Sequence, residues 1–189
     1  YRFGFKASGD ASTLDALCKS NGIALSVKNA VTYEGEAISS TRIRSAVKEG
    51  NVKLAGALLS RPFTIRGKVV PGKQLGRTIG IPTANILYNA NYVVPKFGVY
   101  LTGVTVDGKY YYGATNIGTN PTFGEQEIKV ETYLYNYEGD SLYGKIMDVA
   151  RLDFIRPEIA FDSVEALKER MDWDLNLIRQ QIEQEEFTK

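Results

Sequence analysis

Histidine is absent from the 189 residues, and cysteine occurs once, as Cys18. The first absence excludes Ser-His-Asp and Cys-His nucleophile systems and every His-ligated metal site. The second excludes an internal disulfide, and Cys18 has no Cys or His neighbours from which to build a zinc site, so a reducing, cytoplasmic setting is expected. Any catalysis falls to carboxylates, hydroxyls, Lys, Arg or a bound hard cation.

An excess of one charge is also lacking, with 23 Lys and Arg against 22 Asp and Glu. No global field draws the chain to nucleic acid or to an anionic membrane, so a phosphate site must be local. No apolar run approaches the roughly 20 residues that span a bilayer, and the opening Tyr1-Arg2-Phe3-Gly4-Phe5-Lys6 has no signal-peptide pattern. That opening lacks Met and is already rich in Gly and aromatics, so the chain reads as part of a longer protein. With 43% hydrophobic and 24% charged residues, it suits one full globular domain plus part of another.

Residues 1 to about 58 read as α/β: a polar helix around Ser12 to Ser20, an apolar strand at Ile23 to Val27, a helix capped by the Ser/Thr cluster at 39–41 and ended by Gly50, and a short helix from Val52 to Leu59. From Arg61 the pattern changes. Phe63 to Val70 alternates with period two and stops at Pro71-Gly72, which places a domain boundary near Ser60. Gly98 to Val106 and Lys109 to Asn116 form a hairpin on Asp107-Gly108, a dipeptide suited to a type I′ turn. Ile128 to Tyr137 and Tyr143 to Ile155 add two more strands. At least five antiparallel strands call for a closed or nearly closed barrel. Val164, Leu167, Met171, Leu175, Ile178 and Ile182 then form one helical stripe that should pack on it, with Asp162 and Glu165 at capping-box spacing.

The densest stretch for chemistry runs from Gly72 through Gly76-Arg77-Thr78-Ile79-Gly80-Ile81-Pro82-Thr83-Ala84-Asn85. Glycines at every fourth position let backbone amides approach an anion, although a flexible barrel loop needs them too. It is not a Walker A loop. Pro82 stiffens the chain, while Thr83 and Asn85 offer neutral oxygens acceptable to Mg2+ beside nucleotide phosphates. On the strand around Val130-Glu131-Thr132, alternation puts Glu131 on one face with Tyr133, Tyr135 and Tyr137: a candidate general base, or a carboxylate on a wet sheet face. Asn116 to Gly124 reads as a turn-rich rim, the Arg156/Glu158 pair as a brace for a strand end, and Trp173 as cover for a helix flank or a stack for a planar ligand.

Taken in order, Gly76-Arg77-x-x-Gly80-x-Pro82-Thr83-Ala84-Asn85, Asn116-Ile117-Gly118, Val130-Glu131-Thr132, Leu142-Tyr143-Gly144 and Arg156-Pro157-Glu158 resemble the riboflavin kinases, in particular the kinase domain of bacterial riboflavin kinase/FAD synthetases. The resemblance covers about 125 residues and implies a six-stranded antiparallel Greek-key β-barrel with a C-terminal helix over residues 61–189. It implies ATP as co-substrate at the glycine-rich loop (Gly72, Gly76, Arg77, Gly80 and Pro82), Mg2+ and phosphate on Thr83 and Asn85, and Glu131 as the base that takes the riboflavin 5′-hydroxyl proton, giving FMN. Many members of that family carry His where this chain has Tyr133.

Residues 1–60 resemble the trailing part of the FMN adenylyltransferase domain, an α/β remnant of a Rossmann-like nucleotidyltransferase fold. Ser40, Thr41 and Arg42 match the segment that there helps bind the nucleotide triphosphate. The His-x-Gly-His type motif of that domain has no counterpart here, so FMN adenylation is expected of a longer parent and not of this chain alone. Expected partners are small molecules, with neither nucleic acid nor membrane. The rival readings are a noncatalytic flavin- or nucleotide-binding module, and a barrel for single-stranded nucleic acid whose tyrosines stack bases, which the balanced charge disfavours.

Overall fold

The computed structural model describes residues 2–72, 74–122 and 125–186, which fall into two compact units, one ending at Ile38 and one beginning at Ser39. In the first unit, Asp10 accepts a hydrogen bond from the Thr13 amide at 3.0 Å and starts helix α1, Ala11–Ser20. A two-residue hairpin, β1 (Thr32–Tyr33) and β2 (Glu36–Ala37), follows. The strand expected over Ile23 to Val27 is not formed. A strand needs a neighbouring strand to pair with its amides; no strand pairs with this segment among the described residues, the Ile23 amide donates back to the Cys18 carbonyl of α1 at 2.9 Å, and Ile23 and Val27 are exposed.

In the second unit, Ser39 caps α2 (Ser40–Glu49), Gly50 ends it in the left-handed region at φ 80°, and Asn51 caps α3 (Val52–Leu59). A left-handed C-terminal residue costs glycine little, which is why the helix stops there. Both helices lie in the same compact unit as the barrel.

Six antiparallel strands close the barrel: β3 (Thr64–Val70), β4 (Ala84–Leu87), β5 (Gly98–Val106), β6 (Lys109–Thr122), β7 (Glu125–Leu134) and β8 (Ile146–Pro157). Their order around it is β3-β4-β7-β6-β5-β8, the Greek-key crossing falling between β4 and β5. Asp107 and Gly108, at φ 50° and 74°, make the β5–β6 turn as expected. The segment Asn116 to Thr122 is not the expected loop but the continuation of β6, paired with β7 along its length. Phe123 and Gly124 lie outside the described residues.

Inward-facing Ile65, Val69, Ile86, Val104, Val130 and Val149 fill the interior. Outward-facing Val99, Leu101 and Tyr135 are buried by Ile178 and Ile182 of helix α5, Val164–Glu186. Strand β5 is therefore covered on both faces, which is why it reads as a nearly unbroken apolar run. Ser163, not Asp162, caps α5 by accepting the Ala166 amide at 3.1 Å. Leu167, Met171, Leu175, Ile178 and Ile182 form the covered stripe, while Val164 stays exposed.

Candidate functional site

Strand register assembles the site. Asn85 of β4 pairs with Glu131 of β7, Glu131 with Asn116 of β6, Asn116 with Val99 of β5, and Val99 with Arg156 of β8. Directly opposed residues share a face of the sheet. The adjacent row, Ile86, Val130 and Ile117, is buried inside the barrel, so the row through Glu131 points out.

Helix α5 and the segment after β8 arch over that outer face and leave a cavity of about 250 Å³. Glu131, Asn116, Arg156, Lys129, Glu158 and Asp174 are among its polar groups, and Val99, Ile159, Phe161, Leu167 and Met171 among its apolar ones. A pocket with an apolar wall takes its specificity from a few placed polar groups.

The roof is tied down by a buried ion pair. Arg156 Nη2 lies 2.7 Å from Asp174 Oδ2, and its Nε donates to the same carboxylate at 2.8 and 3.1 Å. Arg170 Nε adds a 3.1 Å contact from one helical turn away. Arg156 therefore braces the end of β8, but its partner is Asp174 rather than Glu158. Glu158 instead sits over Gly118, where any Cβ would strike its carboxylate. Tyr135 makes a second tie, donating from its hydroxyl to the Leu175 carbonyl at 2.7 Å, and burial pushes that phenol well above its ordinary pKa.

A second cavity, about 620 Å³, opens between the glycine-rich segment and the turn after β7. Gln74, Arg77, Gly80, Pro82, Thr83 and Asn85 line one side, and Tyr137, Asp140 and Tyr143 are among those on the other. The segment is not wholly loop, for Leu75–Thr78 makes a single helical turn, α4, before Gly80 turns the chain at φ 84°. Gly72 lies against the Asn85 amide and Gly76 against the Ile81 carbonyl, at both places with no room for a Cβ. Those two close approaches explain the glycines.

Thr83 and Tyr133 line both cavities. The two cavities therefore adjoin at these side chains. Among the described residues no three carboxylate, Cys or His side chains come together. The hydroxyl of Thr83 at the junction and the amide of Asn85 in the second cavity are neutral oxygens, a donor set fit for a hard cation that takes most of its ligands from phosphate and water.

Several expectations need correction. Tyr137 does not share a face with Glu131, because Asn136 at φ 55° breaks the alternation and turns Tyr137 toward the barrel interior, 5.4 Å from Tyr111. Trp173 lines neither cavity. It is exposed, with Arg170 over its ring at 4.2 Å. Ser40, Thr41 and Arg42, expected at the nucleotide site of the adenylyltransferase domain and not at this one, form the first turn of α2 and line neither cavity. Sequence reasoning missed Asp174 and Phe161, which lie far along the chain from β8's motif or outside any motif.

Comparison with known proteins fits this geometry. A family model for flavokinase, described as riboflavin kinase, matches residues 59–182. A bifunctional riboflavin kinase/FMN adenylyltransferase from Listeria monocytogenes is 36% identical over 175 residues, 92% of this chain and 55% of its own length. The protein of the same description from Escherichia coli K12 is 38% identical over 175 residues, again 92% and 55%. Among solved structures, a chain described as a macrolide-efflux protein from Streptococcus pneumoniae is similar at a TM-score of 0.84 and 37% identity, over 95% of this chain and 57% of that one. Among the described residues here, no helix is long and apolar enough to cross a membrane. The chain spans about half the length of the curated relatives it matches.

Proposed function

The chain belongs to the riboflavin kinase family, and on that footing we propose that riboflavin occupies the cavity under α5, ATP the second cavity, and that the γ-phosphoryl group crosses between them at Thr83. The observation that carries this reading is the register that sets Glu131 beside Asn85 while Thr83 lines both cavities.

In this reading the flavin ring packs between Val99, Phe161 and Met171, and its ribityl 5′-hydroxyl reaches Glu131. The Glu131 carboxylate accepts the hydroxyl proton as that oxygen bonds to the γ-phosphorus. The bond to the β-phosphate bridging oxygen breaks, leaving ADP and FMN. Holding the two substrates in line accounts for much of the acceleration, and a positioned base adds about 10²- to 10⁴-fold. Thr83 and Asn85 would hold Mg2+, which when bound with ATP neutralises phosphate charge. Gly72, Gly76 and Gly80 bring backbone amides to the phosphates, with Arg77 and Pro82 on the same wall.

Residues 61–189 are the kinase domain in this assignment, and residues 1–60 the trailing part of an adenylyltransferase domain. A longer parent would carry FMN on to FAD, with Ser40, Thr41 and Arg42 serving that other site. The deciding experiment incubates the chain with riboflavin and Mg-ATP and measures FMN and FAD together, beside Glu131→Gln. FMN without FAD, lost in the variant by about 10²-fold or more, is the expected result. Riboflavin binding with no ATP-dependent turnover would leave a flavin-binding module.

A further inference from the structure

Among the described residues that line both cavities, Tyr133 carries the one phenol, and its hydroxyl is not already committed. Of the three tyrosines that follow Glu131, Tyr135 donates to the Leu175 carbonyl and Tyr137 to the Asp140 carbonyl, both at 2.7 Å. The Tyr133 hydroxyl has no hydrogen-bond partner among the described residues. Its ring is held edge-on against Tyr135, centroids 5.2 Å apart at 90°, so the side chain is fixed at the ring and open at the oxygen. It projects from the same face of β7 as Glu131, two residues on, and with Thr83 it lines both cavities.

We propose that the Tyr133 hydroxyl donates a hydrogen bond to a nonbridging oxygen of the phosphoryl group as it passes from ATP to riboflavin. The inference rests on the kinase reading and extends it. Tyr133 forms no covalent bond and gives up no proton. The proton of the ribityl hydroxyl still goes to Glu131, and the electron pair of the broken P–O bond leaves with ADP. What Tyr133 adds is a fixed donor aimed where charge is redistributed over the equatorial oxygens, the kind of group that stabilises the transition state more than either bound substrate.

The experiment compares Tyr133→Phe, which keeps the ring and removes the oxygen, with Tyr133→His, which returns a donor of shorter reach in a different ring. A hydrogen bond to a charged group lost only in the transition state lowers kcat by about ten- to a hundredfold. The expected result is that fall in Tyr133→Phe, with KM for riboflavin and ATP and the melting temperature unchanged, and partial recovery of kcat in Tyr133→His. A purely packing role predicts the reverse order, with Phe close to the parent and His worse. Wild-type kcat in Tyr133→Phe, or a loss that His does not begin to recover, overturns the proposal. Glu131→Gln in the same assay separates the two readings. If the unaltered chain makes no FMN, both fall; if it is active, Glu131→Gln is dead and Tyr133→Phe is unimpaired, only the role of Tyr133 falls.

Discussion

Glu131 of β7 and Asn85 of β4 stand directly opposite each other in the barrel's hydrogen-bonded register. Their side chains leave the sheet on the same face with Cβ atoms about 4.5–5.5 Å apart. The proposed base and the proposed phosphate-side ligand are therefore spaced by strand pairing and not by a flexible loop.

That spacing makes the length of the acidic side chain matter. Glu131→Asp keeps the charge but draws the carboxylate back by one methylene, and a displacement of that order at a reacting centre costs about 10²-fold in rate. Steady-state kinetics should show kcat falling with the KM for riboflavin little changed. A Glu131→Asp variant as active as its parent would mean that the carboxylate is not the proton acceptor.

On the other side of the pair, Gly72 leaves no space for a Cβ beside the Asn85 amide, whose nitrogen and oxygen both face it. Gly72→Ala should push Asn85 aside. The expected outcome is about a tenfold rise in the KM for Mg-ATP, the scale of one hydrogen-bonding interaction, with riboflavin affinity by fluorescence titration unaffected. A parallel loss of riboflavin affinity would show that the two cavities are not separately built.

Asp174 is 5% exposed and Arg156 10%, so removing the carboxylate strands a buried guanidinium. Asp174→Ala should cost about 3–5 kcal/mol. In a domain of this size that is a drop of roughly 6–20 °C in melting temperature. Arg156→Met combined with Asp174→Leu should regain most of the stability though not the activity, because no unpaired charge remains in the apolar roof. A double variant no more stable than Asp174→Ala would refute this account of the pair.

Much of the barrel was legible because its strands obey local rules. Asp107-Gly108 has one good backbone solution, and the stripe of α5 needs only helical spacing. What escaped depended on distant partners. Strand β4 is four residues long and follows Pro82, so on its own it carries too little alternation to be read. The continuation of β6 looks like a turn in sequence, since Asn116, Gly118 and Asn120 favour turns, yet pairing with β7 overrides that preference. The pair of Arg156 and Asp174 spans 18 residues and puts a charge on a helix stripe that otherwise reads as apolar. The junction residues Thr83 and Tyr133 lie on different strands or loops, and only closure of the barrel brings them to one place.

Arg151 supplies a test in which stability and pH are coupled. It lies inside the barrel at 1% exposure, with all three guanidinium nitrogens lacking a hydrogen-bond partner among the described residues, between the rings of Phe63 at 5.0 Å and Tyr100 at 5.8 Å. Cation–π contacts offset only part of the cost of burying an unpaired charge. Arg151→Met should therefore stabilise the fold at neutral pH, as buried ion pairs replaced by apolar side chains of similar volume often do. Burial depresses the guanidinium from 12.5 to about 10, still above neutral pH, so the charge is present under ordinary conditions. For a cation with a depressed folded-state pKa, the unfolded chain binds more protons between about 10 and 12.5, and stability conferred on the parent rises with pH across that window. Tyr100, pushed up to about 12 by burial, acts oppositely: its neutral form is favoured in the fold, and its contribution is lost as pH rises from about 10 to 12. In the parent the two slopes oppose each other, whereas in Arg151→Met only the loss from Tyr100 remains. Urea unfolding at pH 7, 9, 10 and 11 should thus show the variant's advantage largest at pH 7 to 9 and shrinking above pH 10. An advantage that grows with pH, or a variant less stable than its parent at pH 7, would mean that the guanidinium is paired or solvated in the folded protein.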